Sequence, residues 1–287
     1  MNYNFISQAN LLVVEKEERF SLYKIDLRGT AEAVSWAQNQ KKIDIYPEYN
    51  LLVLQNQIRS FDGSKITDVN HSEIKILPMS KCALIQETRS PQAFDLIVWD
   101  GAKIIRRFHD CSDIRYNDEY FAVVHAELSE EGSRWMIYRK NGKLIDCPNA
   151  FISNDIRLIG DFLIVDGLGN HSLYWLKKSQ LIKDEQQKIV VSPYEDFAMC
   201  CSITGKISVF YQNQWRLLEE KADDFGLVAD DLGMYYLLKN GKYYIYLFNG
   251  KPFLKVLYPD GIDFIGYDEE KMTLMLFSNE KVRFYFP

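Results

Sequence analysis

Short apolar runs recur along this chain with an almost constant spacing, and this spacing limits the possible folds more than any other feature. Residues 114–145, IRYNDEYFAVVHAELSEEGSRWMIYRKNGKLI, contain four such segments: an alternating one, a continuous apolar run, a run with aromatics, and an apolar edge after Asn141-Gly142. Runs of roughly four to eight residues bounded by Gly, Asn, Asp or Pro are typical of β-strands. We therefore predict four consecutive strands here.

The same unit repeats from one end of the chain to the other. A first segment leading into an apolar run is found eight times, at residues 3–14, 43–54, 74–85, 114–124, 156–165, 189–201, 225–238 and 262–277. A second apolar run follows each of them, in turn FSLYKI, IRSF, FDLIVW, WMIY, SLYWL, ISVFY, YYIYLF and VRFYF. The apolar segment that ends each unit recurs every 36 to 41 residues, at Ile66, Ile104, Ile145, Ile182, Leu218 and Leu254. Four strands in such a period are typical of a propeller blade.

Composition and turn residues agree with an all-β chain. Aromatic residues make up 14% of the sequence, and they fit a pleated sheet better than a helix face. The pairs Asp62-Gly63, Asp100-Gly101, Asn141-Gly142 and Asn249-Gly250 tolerate the positive φ of tight hairpins. Only residues 31–40 are predicted to form a helical turn or two.

The chain resembles the WD-type β-propellers in its layout, although the Trp-Asp dipeptide occurs once, at Trp99-Asp100. It also resembles bacterial WG-type repeats through the pattern WMIYRKNGKLI. The resemblance implies a single β-propeller domain over residues 1–287, with antiparallel four-stranded blades whose first strands line a central channel. We expect eight blades, with seven as the alternative because residues 43–69 form a short unit. The last unit lacks a fourth strand, which residues 1–9 are expected to supply.

The cysteines and the amino terminus indicate a compartment. Residues 1–18 lack the pattern of a secretory signal, and no apolar run reaches the roughly 18 residues that span a bilayer. We therefore expect a cytoplasmic protein. The five cysteines show no CxxC spacing and are predicted to be free thiols that fill the core. In a strand, the vicinal pair Cys200 and Cys201 would face opposite sides.

Motifs for chemistry are scarce in this sequence. His109, in the segment RRFHDCSDIR, is placed in a predicted loop beside Cys111 and Asp113, and we interpret this cluster as structural. The Asp-rich segments lack the spacing of a calcium loop, and signatures for nucleotides, for a GxSxG nucleophile and for HExxH zinc binding are absent. We expect no catalytic residues, no metal site and no cofactor. Dispersed catalytic residues around a channel would leave no motif, so an enzyme stays an alternative.

Charge is the most informative functional signal. The net charge of −6 and the pI of about 5.4 argue against a nucleic-acid or anionic-membrane surface. In the propeller layout, the loops from second to third strands and from fourth to next first strands share one rim. That rim is predicted to be acidic and to bind protein, whereas the opposite rim carries hairpin lysines. Its predicted binding residues are Glu17, Glu18, Asp110, Asp113, Glu127, Glu130, Glu131, Asp184, Glu219, Asp223, Asp224 and Asp260.

Two functions are therefore predicted. The first is a monomeric, non-catalytic β-propeller that binds a basic protein partner through its acidic rim, in one version a bacterial immunity protein that neutralises a toxin. The alternative is an enzyme or a binder of a small ligand, such as a sugar or metabolite, at the central channel. A third class, a scaffold in a larger assembly, would expose aromatic patches on blade edges.

Overall fold

A computed structural model of the chain describes residues 1–69, 73–125, 134–147, 155–167, 169–218, 222–229, 233–257, 264–268, 273–278 and 281–285. Apart from three short 3-10 turns, the secondary structure of these residues is β-strand. The prediction of an all-β chain is confirmed. The turns are Ser7–Ala9, Ser35–Ala37 and Pro47–Tyr49.

The strands of the first half are β1 (Asn2–Ile6), β2 (Leu11–Lys16), β3 (Arg19–Ile25), β4 (Ala31–Ala33), β5 (Ile43–Tyr46), β6 (Leu51–Leu54), β7 (Gln57–Ser60), β8 (Lys65–Asp68), β9 (Glu73–Met79), β10 (Cys82–Ser90), β11 (Ala93–Trp99), β12 (Ile104–Tyr116), β13 (Tyr120–His125), β14 (Trp135–Arg139) and β15 (Leu144–Ile145). Those of the second half are β16 (Asp155–Ile159), β17 (Phe162–Asp166), β18 (His171–Trp175), β19 (Gln180–Val191), β20 (Phe197–Ser202), β21 (Ile207–Tyr211), β22 (Gln214–Leu218), β23 (Asp224–Ala229), β24 (Met234–Lys239), β25 (Lys242–Leu247), β26 (Pro252–Leu257), β27 (Phe264–Asp268), β28 (Thr273–Ser278) and β29 (Lys281–Tyr285).

Consecutive strands pair in antiparallel fashion, so the sheets are meanders. Four strands each form the sheets β1–β4, β5–β8 and β23–β26, and three strands form β27–β29. The two remaining sheets have seven strands each, β9–β15 and β16–β22. Each of the eight predicted pairs of apolar runs overlaps two strands in the described part of the chain, and the six predicted edge residues lie in strands.

Two local predictions differ from the structure. Residues 31–40 form β4 and one 3-10 turn, Ser35–Ala37, because β4 pairs with β3 in the register Tyr23↔Ala33. Among the described strands, β1 belongs to the sheet β1–β4 and not to the sheet of the last unit. It pairs with β2 through five residues, from Asn2↔Glu15 to Ile6↔Leu11, and so it is the first strand of its own sheet.

The long strands β12 and β19 join what the sequence predicts to be separate units. Each contains the fourth strand of one unit and the first strand of the next, because β12 pairs with β11 through its first part and with β13 through its last part. Strand β19 does the same between β18 and β20. Where a loop was predicted around His109, the structure has a bulged but continuous strand.

Alternation along the strands explains why the apolar runs are continuous. Leu51 and Val53 belong to one buried cluster, whereas Leu52 and Leu54 belong to another. Successive side chains of a strand point to opposite faces, so a strand buried on both faces must be apolar throughout. The unit β5–β8 thus contributes to two cores.

The cysteines follow the same rule, and the prediction for the vicinal pair is confirmed. Cys200 is fully buried in the cluster of Phe162 and Phe210, while Cys201 packs against the cluster of Met199 and Phe225. The cysteines are free thiols. Burial raises the pKa of Cys111 and of Cys200 to about 12, so both thiols stay protonated near neutral pH.

The chain divides into two compact units, Met1–Leu144 and Ile145–Pro287. Each carries its own clusters of buried apolar side chains, and a single domain over residues 1–287 stays a prediction. Among the described residues, no helix has the length and apolar character needed to cross a membrane.

Candidate protein-binding surface

The predicted acidic residues of the first seven-stranded sheet lie near one end of its strands. Pairing places Thr88 beside Phe94, Phe94 beside Cys111, and Cys111 beside His125, in a row across β10, β11, β12 and β13. This row lies where β10 turns into β11. Asp110 and Asp113 flank Cys111 and therefore lie at the same end of the sheet.

A bulge in β12 shapes this end. Two residues, His109 and Asp110, lie opposite the single residue Asp95 of β11, since the register shifts between Phe94↔Cys111 and Leu96↔Phe108. Asp110 has a φ of 53°, in the left-handed region that only a few residue types tolerate well. We call Asp95, His109 and Asp110 the first bulge. It bends the strand without ending it.

Asp95 is the residue that holds the first bulge together. Its side chain is largely buried and accepts a hydrogen bond from the Asp110 backbone N–H at 3.2 Å. The same carboxylate lies 3.0 Å from Nδ1 of His109 and forms an ion pair with Arg89. Asp95 is not among the residues predicted from the sequence, although the single Asp inside the apolar run FDLIVW indicates a special position, because a buried carboxylate needs partners.

Asp110 is exposed, Asp113 is half-buried, and both lie near cations. Oδ1 of Asp110 lies 3.7 Å from Nη1 of Arg89, and Oδ1 of Asp113 lies 2.7 Å from Nη1 of Arg115. Asp113 also accepts a hydrogen bond from the Ile114 N–H at 2.7 Å. The negative charge at this end of the sheet is therefore partly balanced, which lowers its attraction for a basic partner.

The second seven-stranded sheet has a bulge at the equivalent position, in β19. Asp184 and Glu185 of β19 lie opposite Ser172 of β18, between His171↔Gln186 and Leu173↔Lys183. Glu185 has a φ of 53°, as Asp110 does. We call Ser172, Asp184 and Glu185 the second bulge. Here the Ser172 hydroxyl donates to the exposed Asp184 carboxylate, and both carboxylates of β19 face solvent.

Asp223 and Asp224 lie together at the start of β23. Asp223 accepts a hydrogen bond from the Asn240 N–H at 2.7 Å, and Asp224 pairs with Nζ of Lys188 at 2.5 Å. Burial would raise the pKa of Asp224, but the hydrogen bond from Lys188 and the Phe225 N–H outweigh it and hold that pKa below its ordinary value. Asp224 therefore stays ionised and links β19 to β23.

Glu17 and Glu18 form the turn between β2 and β3. Both have positive φ, at 53° and 59°, which matches the twist of a tight two-residue hairpin. Both side chains are exposed. This turn joins a second strand to a third strand, as the predicted rim requires.

The structure groups only part of the predicted acidic set. Glu17, Glu18, Asp110 and Asp113 belong to the first compact unit, and Asp184, Asp223 and Asp224 belong to the second. Within them, Asp110 lies near Asp113, and Asp223 precedes Asp224. Outside the described residues lie Glu127, Glu130, Glu131, Glu219 and Asp260.

Several groups among the described residues bear on a chemical function. In that part of the chain, no group of three or more His, Cys, Asp or Glu side chains is placed to hold a metal ion. Two pairs of Asp and His occur, Asp95 with His109 and Asp166 with His171, the latter at 2.7 Å. The thiol next to the first pair, Cys111, is fully buried and is therefore a poor nucleophile.

No protein-family model matches the chain, and no curated protein sequence is significantly similar to it. Among solved structures, it is similar to a eukaryotic initiation factor at a TM-score of 0.38 and 7% identity, over 90% of this chain and 87% of that one. It is similar to KlHsv2 with loop 6CD replaced by a Gly-Ser linker (TM-score 0.32, 13% identity, 96% and 87% covered). It is also similar to BamB from Moraxella catarrhalis, at a TM-score of 0.32 and 9% identity, over 98% of this chain and 95% of that one. Structural similarities this weak do not support a conclusion about function.

Proposed function

We propose that the eight strand sets are the blades of one β-propeller, seven of them four-stranded and the last three-stranded. Support comes from the meander order of every described sheet and from the alternation that sends successive side chains of one strand into two cores. Units with two apolar faces bury both when they stack around a ring. The long strands β12 and β19 then connect neighbouring blades directly.

We further propose that this protein binds a basic protein partner through acidic residues at one end of its sheets and catalyses no reaction. The observation that carries the proposal is the repeated bulge, which presents Asp110 in the first seven-stranded sheet and Glu185 in the second at the same position. Both side chains are exposed. Complementary charge of this kind accelerates encounter and selects the partner.

A toxin domain with a basic surface is the partner class that we favour, which makes the protein a bacterial immunity protein. Toxins that act on nucleic acids carry basic surfaces, since they must attract phosphates. An acidic protein that covers such a surface would compete with the substrate for the same cations. The net charge of −6 has the required sign.

The test combines capture from the native host with matched charge variants. The protein should retain a stoichiometric basic protein that is released as salt rises from about 0.05 to 0.5 M, because exposed charges are screened within a few ångströms at high salt. Glu17→Gln with Glu18→Gln should slow association at least about threefold.

The matched control is Glu48→Gln with Asp118→Asn. It removes the same charge from turns between first and second strands, at the other end of the sheets in the same compact unit. This control should leave association unchanged. Salt-independent capture, or equal effects of the two double variants, would contradict the proposal.

A further inference from the structure

A cleft of about 370 Å³ opens beside β22 in the second compact unit. Its floor is aromatic and apolar, and it includes the buried rings of Tyr235 and Phe248. Strands β21 and β22 form one wall, and β24 and β25 form the other. A volume of this size matches that of small-molecule sites in proteins, which are also mostly apolar with a few polar groups.

A second junction in the molecule has the same construction, and there the space is filled. Arg106 of β12 pairs with Val98, as Arg216 of β22 pairs with Val209. Each arginine donates from Nη1 to a carbonyl of the next Asn-Gly hairpin, Arg106 to Gly142 at 3.1 Å and Arg216 to Asn249 at 2.6 Å. The arginines are therefore equivalent.

The aromatic pairs below these arginines are also equivalent. Phe121 and Tyr138 are cross-strand partners that stack at 5.2 Å, and Tyr235 and Tyr246 are cross-strand partners that stack at 5.3 Å. Each pair lies on the second and third strands of its unit. The two junctions therefore share a floor as well as an arginine.

One position differs in size. Two residues after Arg106 comes Phe108, which packs edge-on against Phe121 at 5.8 Å and Tyr138 at 5.0 Å. Two residues after Arg216 comes Leu218, a smaller and half-buried side chain that lines the cleft. The Arg106 guanidinium lies 4.8 Å above the Tyr138 ring. The cleft therefore occupies the place where the other junction holds a phenylalanine ring.

Charge around the cleft selects its ligand. Arg216 and Lys239 are the charged side chains among the described residues that line it, and both are cationic in a protein of net charge −6. Partial burial lowers the pKa of Lys239, so a bound anion would replace the water that its ammonium has lost. Aromatic walls favour a flat apolar group, and guanidinium favours carboxylate or phosphate.

We propose that the cleft between β21–β22 and β24–β25 binds a small organic anion with an aromatic body, its ring against Tyr246 and Leu218 and its acidic group toward Arg216 and Lys239. The site lies within one compact unit and is lined by cations. It is thus independent of the acidic residues proposed to bind protein, and either proposal can fail without the other.

The first experiment uses the purified full chain and three probes in titration calorimetry. We expect 1-naphthyl phosphate to bind with a Kd in the micromolar to low millimolar range, which is ordinary for a ligand of this size. Inorganic phosphate lacks the ring, and 1-naphthylmethylamine has the opposite charge. Both should bind at least about tenfold more weakly. Equal affinities for 1-naphthyl phosphate and 1-naphthylmethylamine would overturn the proposal.

Leu218→Phe transfers the filled junction to the cleft. It should raise the Kd for 1-naphthyl phosphate at least about tenfold, because the naphthyl group of the ligand and the introduced phenyl ring cannot occupy the same space. The variant should fold, since the equivalent position already holds Phe108. Unchanged affinity in a folded Leu218→Phe protein would contradict the proposed position of the ligand.

A pair of arginine variants tests the position of the bound anion even if Leu218→Phe does not fold. Arg216→Gln should weaken the probe about tenfold, the usual effect of losing one charge-assisted hydrogen bond. Arg106→Gln changes the equivalent residue at the filled junction and should leave the Kd unchanged. Equal effects of the two variants, or no effect of either, would overturn the proposal.

Discussion

The two seven-stranded sheets have the same backbone arrangement at their long strands and differ in the polar side chains around it. In each, a strand of twelve or thirteen residues crosses from one unit to the next through a bulge that sets two residues opposite one. A second register shift follows in each, before Asp113 in β12 and before Lys188 in β19. The backbone solution is therefore repeated with the same spacing.

The side chain opposite the bulge is where the sheets diverge. Asp95 in the first sheet gathers Arg89, His109 and the Asp110 N–H, whereas Ser172 in the second makes one hydrogen bond to Asp184. The second sheet places its own Asp, His and Arg group elsewhere, on β16, β17 and β18. The geometry of the repeat thus does not depend on one set of polar contacts.

The largest effect is expected from removing a bulge residue. Deletion of Asp110, or of Glu185, would leave one residue opposite one, so the later side chains would keep their faces, but the strand would lose the bend and twist that the bulge gives it. We expect a loss of about 3 kcal/mol, because the straightened strand would no longer fit the packing of both units that it crosses. Urea unfolding followed by circular dichroism measures it.

The length-preserving control is Glu185→Ala, which keeps the register. It should change the stability by at most about 0.5 kcal/mol, because Glu and Ala have the same strain at a positive φ and the side chain is exposed. A deletion variant as stable as this control would show that the bulge is not needed.

The next effect separates the two sheets. Asp95→Ala leaves Arg89, His109 and one N–H without their common acceptor, and we expect it to destabilise by about 2 kcal/mol. Arg89 can be hydrated again, since its side chain is 43% exposed, and this keeps the loss below that of a fully buried ion pair.

Ser172→Ala is the counterpart in the second sheet. It removes one hydrogen bond to an exposed carboxylate, so we expect a loss of about 0.5 to 1 kcal/mol. Denaturant midpoints of both variants, measured side by side, test the difference. Equal losses would mean that the polar contacts of the two bulges are equivalent after all.

A pH dependence marks the separate group of the second sheet. Burial would raise the pKa of Asp166, but the hydrogen bond from Arg157, with the charges of Arg157 and His171, lowers it below its ordinary value of 3.8. A lowered pKa contributes stability that is present above the unfolded value and disappears as pH falls through the folded value.

Asp166→Asn should therefore destabilise by about 1 kcal/mol at pH 7, and the difference from the parent protein should shrink as the pH falls below about 4. Thermal unfolding across this pH range measures it. A difference that grows toward acid would contradict the direction of the pKa shift.

The smallest effect is a gain. Glycine adopts positive φ without steric strain, so Glu185→Gly should stabilise by about 0.5 to 1 kcal/mol. Asp110→Gly should gain less, because aspartate tolerates this region better and Asp110 lies near Arg89. The ranking of the two midpoints is the test.

Much of the fold was predictable because the strands are short and sharply bounded. Runs such as FDLIVW and turns such as Asn141-Gly142 carry their own signals, and the apolar alternation between Cys200 and Cys201 follows from strand geometry alone. The continuity of β12 was not predictable in the same way. Its bulge consists of His109 and Asp110, residue types that also favour loops, so the segment HDCSD reads as a connection.

The acidic residues were predictable only as a group in sequence. Asp113 pairs with Arg115 two residues along the same strand, whereas the pairing of Asp224 with Lys188 depends on contact between strands of two different sheets. Asp95 was overlooked because it lies in an apolar strand and not in a turn. A carboxylate that the local pattern cannot explain is therefore a useful sign of a buried polar group.

Hydrogen exchange tests most directly the claim that β12 and β19 are continuous strands joining two units. Amides before and after each bulge, in Ile104–Tyr116 and Gln180–Val191, should exchange slowly, with fast exchange confined to the bulge residues. The two segments should behave alike despite their different polar groups. Fast exchange throughout residues 106–114, or throughout 182–189, would show loops between separate units and would contradict the account.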